Sequence, residues 1–518
     1  MKRKLSAITI IVGVLMSLMV IPVSAQGPPG TGWWVFWQIQ NIDTTAGQIQ
    51  MTAYQREGDG TEQVGSESFD IGVGNALAYN PGQTPNIDNG LIGFSGNISF
   101  RDGSAVISSD RSVVAVAQLG NNRSGTAGTD GGTATSFYQG IGSGNASTTV
   151  NFPLVKNNFN GQTTTFYIQA AGADANVTIT YNMNDGTTHT ETRNIAANRM
   201  WQFSPSNASP AIANSNCGAG GTSPCQGAAT AVSSSGPIVG VVVEHPDAGA
   251  PAALALSTRG LTATDQGTKL LAPIIKNDFN GSTTGFSVQN TDASAAASVE
   301  IVLTVTNSRN PDVAIGAQFR QTVSIEAGKA VVFNNARNNI GGMGTGTFAS
   351  ATVESLNGQK LVGTVNENNN GKKAVYAAFC IEGCGADGNS TPTTTKVAAP
   401  LVKDFFRGKT TGITVANAGT ASTKIKASYT DAGGTVRVIE SSAEVAPGGA
   451  VSFFSIYTNP STRFAVVSGF TDFADFFDTK NSVIVESSDG TTPIVAVAQE
   501  SARDTSGLDI KNYEGFNY

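Results

Sequence analysis

The sequence predicts an all-β protein, built from four tandem β-sandwich domains behind an N-terminal signal peptide. Two observations support this prediction. A long motif recurs at domain-sized intervals along the chain. Between the recurring landmarks, apolar and polar residues alternate with the period of two that is typical of half-buried strands. After the first residues, no stretch keeps the periodicity of a helix.

The N-terminus has the three parts of a secretory signal peptide. Three cations precede an apolar run, and small residues at 23–25 offer a cleavage site. A retained membrane anchor is the alternative, but the run is at the short end for a bilayer span. We assign residues 1–25 to the signal peptide. We expect a secreted, extracellular or cell-surface protein that has no transmembrane segment after the signal is removed.

The composition fits an exported, turn-rich β-protein. The chain has a formal net charge of -7 at pH 7, and only 13% of its residues are charged, whereas it contains 60 glycines. Typical soluble domains are about one quarter charged residues. An acidic chain without basic blocks binds nucleic acid poorly, so we expect no nucleic-acid partner.

The repeated motif occurs three times. It reads FPLVKNNFNGQTTTFYIQA from Phe152, APIIKNDFNGSTTGFSVQN from Ala272 and APLVKDFFRGKTTGITVAN from Ala399. Each copy is followed by an alternating stretch, then by a turn that leads into a strand with an aromatic residue. Two further strands close each unit, and we expect them to form a hairpin.

The first mature segment is a degenerate fourth copy, because it has the later landmarks but lacks the Pro-x-x-Lys opening. The predicted domains are 26–148, 149–268, 269–392 and 393–518. Each unit has about seven short strands, which matches an immunoglobulin-like sandwich in length and strand number. Gly/Ser/Thr-rich stretches at 120–136 and 385–396 read as linkers, so we expect the domains to lie like beads on a string.

Three stretches carry a resemblance to a known family: GFSVQNTDASAAASVEIVLTV, a Pro/Gly turn such as APGGAVSF, and a GFSG…AVISS segment. With them the chain resembles the tandem immunoglobulin-like repeats of secreted bacterial cell-surface and matrix proteins, over nearly the whole mature chain. The resemblance implies the fold and assigns no role, since such modules serve in surface layers, matrices, adhesins and exported enzymes. One departure is Ala170, where the other copies have Asn41, Asn290 and Asn417.

The cysteines form two local pairs, which are Cys217 with Cys225 and Cys380 with Cys384. In an exported protein we expect two loop-closing disulfides, with free thiols as the alternative. A zinc site is disfavoured because the spacings differ from C-x2-C and the pairs belong to different repeats.

The KNDFNG stretch of the second motif copy could suggest a calcium loop, since oxygen-bearing side chains flank Gly281. The third copy replaces two of the would-be ligands by Phe405 and Arg407. Asn, Asp and Gly are also the usual residues of turns. We therefore expect no cofactor and find no support for calcium.

A lysine recurs at the end of the first strand of three repeats, and a glutamate at the end of their last strand. These residues are Lys156, Lys276 and Lys403, with Glu244, Glu367 and Glu500. Because they flank turns, we expect exposed cross-strand ion pairs, each worth less than about 1 kcal/mol. The alternative is an isopeptide crosslink from the lysine to an Asn or Asp side chain, which requires a buried lysine and a nearby carboxylate.

Few residues suggest catalysis. His189 lies in a polar alternating strand and should face solvent, whereas His245 lies beside Glu244 and Asp247 at a strand end. No nucleophile-elbow motif precedes His245. GGMGTG at 341–346 lacks the lysine of a phosphate-binding loop. The chain is therefore predicted not to be an enzyme.

Trp33, Trp34 and Trp37 are the best candidates for a ligand or self-association surface, although alternate side chains of a strand face the core. We expect a secreted structural protein of the bacterial cell surface, a surface layer or the extracellular matrix, whose partners are itself or other surface components. A carbohydrate-binding or adhesive protein with a polysaccharide partner is the alternative. An exported hydrolase is a further one.

Overall fold

The structure is a computed structural model that describes most of the chain after residue 32. The described residues are 33–58, 64–79, 92–94, 98–100, 103–121, 134–212, 225–246, 255–335, 340–369, 372–385, 393–406, 408–431, 433–454, 463–502 and 510–517. The predicted signal peptide lies outside them. Strands dominate the described residues and pair in antiparallel sheets, so the predicted all-β class is confirmed.

The strands fall into four groups that follow the sequence repeats, and we call these groups segments 1 to 4. Segment 1 comprises β1 (Trp33–Asn41), β2 (Gly47–Gln55), β3 (Val64–Ile71), β4 (Ala76–Tyr79), β5 (Ile92–Phe94), β6 (Ile98–Phe100), β7 (Gly103–Ser109), β8 (Val113–Asn121) and β9 (Ala134–Gln139). Segment 2 comprises β10 (Thr149–Lys156), β11 (Gln162–Ala170), β12 (Ala175–Met183), β13 (Thr188–Ile195), β14 (Met200–Phe203), β15 (Gln226–Ser233), β16 (Ile238–Pro246) and β17 (Leu256–Arg259).

The last two segments have the same plan with additional edge strands. Segment 3 comprises β18 (Lys269–Asn277), β19 (Ser282–Asn290), β20 (Ala297–Ser308), β21 (Gln318–Ile325), β22 (Ala330–Asn334), β23 (Thr347–Ser355), β24 (Leu361–Asn369), β25 (Lys372–Ala377) and β26 (Phe379–Glu382). Segment 4 comprises β27 (Lys396–Asp404), β28 (Lys409–Asn417), β29 (Ile425–Asp431), β30 (Val436–Ser441), β31 (Ala450–Phe453), β32 (Phe464–Ser468), β33 (Thr479–Ser487), β34 (Ile494–Ala502), β35 (Ile510–Glu514) and β36 (Phe516–Asn517).

Short 3-10 helices connect some of the strands. They are Ser143–Asn145, Pro205–Asn207, Ala263–Asp265, Ile340–Gly342 and Phe473–Phe476. Within the described ranges, none of the helices has the length and the apolar character needed to cross a membrane.

Segments 2, 3 and 4 each consist of two sheets that enclose an apolar core. In segment 2 the strand orders are β10-β15-β12-β13 and β14-β11-β16-β17. Side chains alternate along β12, where Val177, Ile179 and Tyr181 are fully buried and their neighbours are not. The period-two pattern in the sequence therefore marks the face that each strand turns to the core.

The strand order differs from two details expected from the sequence. The closing strands of each unit do not form a hairpin, because β15 and β16 lie in different sheets, as do β23 and β24. In an immunoglobulin sandwich the sixth and seventh strands share a sheet. Here the second, fifth and seventh strands share one sheet, and the first, third, fourth and sixth share the other. The β-sandwich is confirmed, but its strand order is not that of an immunoglobulin domain.

The Pro-x-x-Lys motif forms a β-bulge in the first strand of segments 2, 3 and 4. The pairing register shifts around Pro153, Pro273 and Pro400, which have no N–H to donate to a ladder. In segments 3 and 4 a tyrosine holds the bulge. The Tyr376 hydroxyl donates to Ile274 O at 2.8 Å and accepts from Ile274 N at 3.0 Å.

Segment 2 has no tyrosine at the position that holds the bulge in segments 3 and 4. Tyr513 holds Leu401 in segment 4 as Tyr376 holds Ile274, but the register puts Thr258 at this position in segment 2. On the first strand of segment 2, Phe152 replaces the alanine of the other two copies. Its ring packs on the ring of Phe166 with centroids 4.9 Å apart. An aromatic side chain thus fills this part of the core from the opposite sheet.

A two-residue hairpin turn follows the repeated lysine, as segment 3 shows. Asn280 and Gly281 both have positive φ, at 55° and 76°, and Phe279 and Ser282 exchange two backbone hydrogen bonds around them. Asn-Gly with two positive φ angles is the preferred sequence of a type I′ turn. The oxygen-bearing side chains that suggested a calcium loop are therefore accounted for by the turn. Arg407 of segment 4 lies outside the described residues.

The four segments form a closed ring and are not beads on a string. The strands β9, β17, β25 and β35 lie at the inner edges of the four-stranded sheets. β17 packs against β9 and β25, and β35 packs against β25 and β9. The Gly/Ser/Thr-rich stretch at 120–136 is no linker between segments, because it leads from β8 to β9 of the same sheet.

One contact is used four times to close this ring. In each segment the turn before β4, β14, β22 or β31 has a residue with positive φ, and its carbonyl oxygen accepts a hydrogen bond from the preceding segment. The pairs are Ser104 Oγ to Asn198 O, Asn182 Nδ2 to Gly328 O, Ser350 Oγ to Gly448 O and Ser482 Oγ to Gly74 O. The last pair joins segment 4 to segment 1. Head-to-tail contacts of this kind give a ring when the rotation between units closes.

Apolar clusters bury the four interfaces. They join Leu119 to Val243 and Ala255, Leu261 to Val362 and Ala377, Ala416, Val495 and Val497 to the core of segment 3, and Val114 to Ala398 and Phe516. These contacts link residues of different segments, so the segments should not unfold independently.

Replacing Arg199 by alanine should destabilise the ring. The Arg199 guanidinium donates to Gln55 O at 3.0 Å and to Arg56 O at 2.8 Å across the interface of segments 1 and 2. Because both buried carbonyls would lose a charged donor, we expect the free energy of unfolding to fall by about 2–4 kcal/mol in denaturant titrations. Arg320→Ala, which breaks an exposed pair with Glu300, is the control and should cost less than about 1 kcal/mol. Equal losses in both variants would contradict the interface.

Candidate functional site

Segments 2, 3 and 4 each carry the same buried cluster of a lysine, a threonine and a glutamate, which we call the Lys–Thr–Glu cluster. Its members are Lys156, Thr164 and Glu244 in segment 2, Lys276, Thr284 and Glu367 in segment 3, and Lys403, Thr411 and Glu500 in segment 4. The structure thus brings together the lysine and glutamate of each pair singled out in the sequence.

The backbone fixes the place of each member. The threonine of the second strand stands directly opposite the glutamate, which lies on β16, β24 or β34, as Thr284 does opposite Glu367. The lysine ends the first strand, in the facing sheet, and follows the bulge. Its own N–H donates to the threonine hydroxyl, at 3.0 Å from Lys276 N to Thr284 Oγ1. The cluster therefore ties the two sheets of one sandwich together.

The ion pairs are short and largely buried. Lys Nζ lies 2.7 Å from a carboxylate oxygen of Glu244, 2.8 Å from one of Glu367 and 2.6 Å from one of Glu500. The Glu367 side chain is 0% exposed and that of Glu500 1%. The expectation of solvent-exposed pairs is wrong, because the bulge turns the lysine inward between the sheets.

The carboxylate of Glu244 faces two cations. In addition to Lys156, Lys373 of segment 3 approaches to 3.3 Å, and Asn366 Nδ2 donates to Glu244 Oε2 at 3.5 Å. Burial by itself would raise the pKa of Glu244, but the charges of Lys156 and Lys373 outweigh it and hold that pKa at about 2. This carboxylate is therefore ionised at any pH near neutrality.

Segment 1 has an apolar version of the same position. The strand register puts Val35 and Leu119 opposite each other where the other segments have threonine and glutamate. Leu119 packs against Val243 and Ala255 of segment 2. Among the described residues, no first strand pairs with the sheet formed by β3, β2 and β7. The degenerate copy thus has apolar residues in place of the threonine and the glutamate of the cluster.

Three residues that reach the clusters were missed in the sequence. Lys373 and Asn366 reach the cluster of segment 2, and Gln499 reaches that of segment 3, each from the following segment. A signal was available for two of them, since Asn366 and Gln499 directly precede the repeated glutamates. The ring explains why this residue matters. Neighbouring side chains on a strand point to opposite faces, so the glutamate faces its own sandwich while the residue before it faces the preceding segment.

Of the three tryptophans near the N-terminus, the structure describes the side chain of Trp37. Trp37 is half-buried, and its ring meets the ring of Tyr138 edge-on with centroids 5.9 Å apart. It packs against the core of segment 1. The side chains of Trp33 and Trp34 lie outside the described residues, so their use as a binding surface stays a prediction.

A disulfide joins Cys380 and Cys384, whose Cα atoms are 5.8 Å apart. This half of the cysteine prediction is confirmed. Cys225 is buried. Cys217 lies outside the described residues, so the pairing of these two stays a prediction.

Both histidines are buried and held by neighbouring groups. His189 Nδ1 lies 2.6 Å from Pro210 O, so the expectation of a solvent-facing His189 is wrong. His245 Nε2 lies 2.8 Å from Thr165 Oγ1, and its Nδ1 lies 2.9 Å from Pro246 O. Asp247 lies outside the described residues. In the described part of the chain, no three His, Cys, Asp or Glu side chains are grouped as a metal site would require.

Lys403→Met should destabilise segment 4 strongly, because it leaves the Glu500 carboxylate buried without its cation. We expect a loss of about 3–5 kcal/mol in the free energy of unfolding. The double variant Lys403→Met/Glu500→Leu should recover most of the loss, since it removes the buried carboxylate together with its cation, and segment 1 has Leu119 at the position of this glutamate.

Lys396→Met is the matched control for that measurement. Lys396 pairs with Glu486 at 3.3 Å, but its side chain is 52% exposed. Its replacement should cost less than about 1 kcal/mol. The buried-pair account fails if Lys403→Met costs no more than this control.

The Glu244 cluster should make stability depend on acid pH. The pKa of this carboxyl is about 2 in the folded chain against an ordinary 4.5, so its stabilising effect is complete above pH 4.5 and is lost as the pH falls towards 2. The difference in unfolding free energy between the wild type and Glu244→Gln should therefore be constant near neutrality and shrink over this range. A difference that does not change with pH would contradict the assignment.

No protein-family model matches the chain, and a search of curated proteins finds no match either.

Proposed function

We propose that the chain is an exported, non-enzymatic structural protein of a bacterial cell surface, surface layer or extracellular matrix. The observation that carries the proposal is the docking contact used four times, from Ser104 with Asn198 round to Ser482 with Gly74. A closed ring of equivalent contacts makes a stiff unit, since no segment can swing away without breaking two interfaces. Such stiffness suits a building block.

The Lys–Thr–Glu clusters support this role by reinforcing the individual sandwiches. Each one links the facing sheets by a short ion pair and by a hydrogen bond from the lysine backbone to threonine, as in Lys403 N to Thr411 Oγ1 at 3.1 Å. Breaking a buried ion pair on one side is costly. Sheets clamped in this way resist separation, which fits a protein that is exported and must last outside the cell.

Assembly into a layer or matrix requires a contact between copies, and segment 4 offers one. β32 is the outermost strand of its sheet, and Val466 and Val467 on it are 43% and 52% exposed. An edge strand with exposed apolar side chains can pair with a strand from another chain. The outer edge strands β13 and β21 of segments 2 and 3 instead carry Arg193 and Arg320, charges that disfavour such pairing. We therefore assign β32 as the contact to a second copy.

Purified mature protein should form ordered assemblies as its concentration rises. Val467→Lys puts a charge on the edge strand and should shift the onset of assembly to at least tenfold higher concentration, measured by sedimentation and by electron microscopy. Ile315→Lys, at an exposed site outside the strands, is the control and should assemble like the wild type.

Protein that stays monomeric at high concentration, with and without calcium, would contradict the structural role. Specific glycan binding that is lost in Trp34→Ala or Trp37→Ala would favour the carbohydrate-binding or adhesive alternative.

A further inference from the structure

A side chain of segment 4 enters the Lys–Thr–Glu cluster of segment 3. Lys276 Nζ donates to Gln499 Oε1 at 2.9 Å, and Gln499 Nε2 donates to Glu367 Oε2 at 2.7 Å. The other oxygen of the same carboxylate, Glu367 Oε1, accepts from Lys276 Nζ at 2.8 Å. An amine, a carboxamide and a carboxylate thus form a closed triangle of hydrogen bonds.

The amine and the carboxylate of the triangle are largely shielded from water, and Gln499 is half-buried. The side chain of Glu367 is 0% exposed and that of Lys276 10%. The Lys276 ammonium also lies 5.8 Å from the ring centroid of Phe348, which covers one side. Groups held at hydrogen-bond distance in a dry site react at high effective concentration.

We propose that Lys276 and Gln499 form an isopeptide bond between segments 3 and 4. The new bond joins Lys276 Nζ to the Cδ atom of Gln499, and the Cδ–Nε2 bond of the glutamine breaks. Lysine is a nucleophile once it has lost its proton. The crosslink would join β18 to β34 and so make one of the four ring interfaces covalent.

Glu367 contacts both nitrogen atoms and can move the protons. It takes one proton from the Lys276 ammonium, the amine attacks Cδ, and the carboxyl returns this proton to the departing nitrogen. Ammonia then takes the proton that is left on Nζ after the attack. Ammonium leaves, the product is a neutral amide, and Glu367 is again a carboxylate.

Asn512 positions the amide and supplies an unused donor. Its Oδ1 accepts from Gln499 Nε2 at 2.9 Å. Asn512 is 1% exposed, and its Nδ2 has no hydrogen-bond partner among the described residues. A buried amide donor without a partner is costly. It belongs to a side chain that already contacts the Gln499 carboxamide, and a donor turned towards the carbonyl oxygen of that carboxamide would stabilise the negative charge that develops during the attack.

The cluster of segment 2 provides an internal comparison. Asn366 occupies the equivalent place to Gln499, directly before the repeated glutamate. It donates to Glu244 Oε2 at 3.5 Å, and Lys373 occupies the other oxygen of that carboxylate. Lys156 is therefore expected to stay a free amine.

Intact mass of the mature chain with Gln26→Ala, reduced and denatured, tests the crosslink, because an N-terminal glutamine would itself lose one ammonia by cyclising. This otherwise wild-type chain should be lighter than its sequence mass by one ammonia, and digestion should give one branched peptide that contains both Lys276 and Gln499. In the same background, Lys276→Arg, Glu367→Gln and Gln499→Ala should each have the full sequence mass. Lys156→Arg is the matched control and should still lack one ammonia.

A wild-type mass equal to the sequence mass would overturn the proposal, whatever the variants do. A mass loss that persists in Lys276→Arg would also overturn it, because the crosslink would then be elsewhere. The structural role proposed above does not depend on this bond, since it is tested by assembly and not by mass.

Discussion

Four edge strands meet around one axis of the molecule. The rest of the arrangement depends on how the backbone N–H and C=O groups of these strands find hydrogen-bond partners. β9, β17, β25 and β35 each end a sheet, and an unpaired edge leaves N–H and C=O groups that need partners. Side chains of the neighbouring segments supply some of these partners. Ser257 N donates to Ser136 Oγ at 2.6 Å, and Ala377 N donates to the Glu514 carboxylate. Ring closure therefore covers the edges that isolated sandwiches would expose.

Aromatic and charged side chains complete the axis. Phe137 of segment 1 meets Tyr513 of segment 4 edge-on, with ring centroids 5.6 Å apart. Arg259 Nε donates to Gln139 Oε1 at 2.9 Å. Burial raises the pKa of Glu514, an effect that the charge of Arg259 partly offsets. Because each segment contributes a different residue, the side-chain contacts at the axis differ from one interface to the next.

The repeats and the alternation of apolar residues predicted the sandwiches and the lysine–glutamate pairs, since both depend on spacing within one unit. They did not predict burial of the pairs, because the bulge at Pro273 changes which way Lys276 points. The expected hairpin of the closing strands was wrong for a similar reason. Alternation with a period of two shows that two strands follow each other, but it does not show whether they lie in the same sheet. Contacts such as Ser482 with Gly74 join opposite ends of the chain, and no local pattern encodes them.

The central claim is that the four segments close into a compact ring, and small-angle X-ray scattering of the monomeric mature protein tests it most directly. A compact chain of this length should have a radius of gyration of about 23 Å, with a distance distribution that falls off without a long tail. A radius near twice that value, with the extended distribution of separated domains on linkers, would contradict the ring.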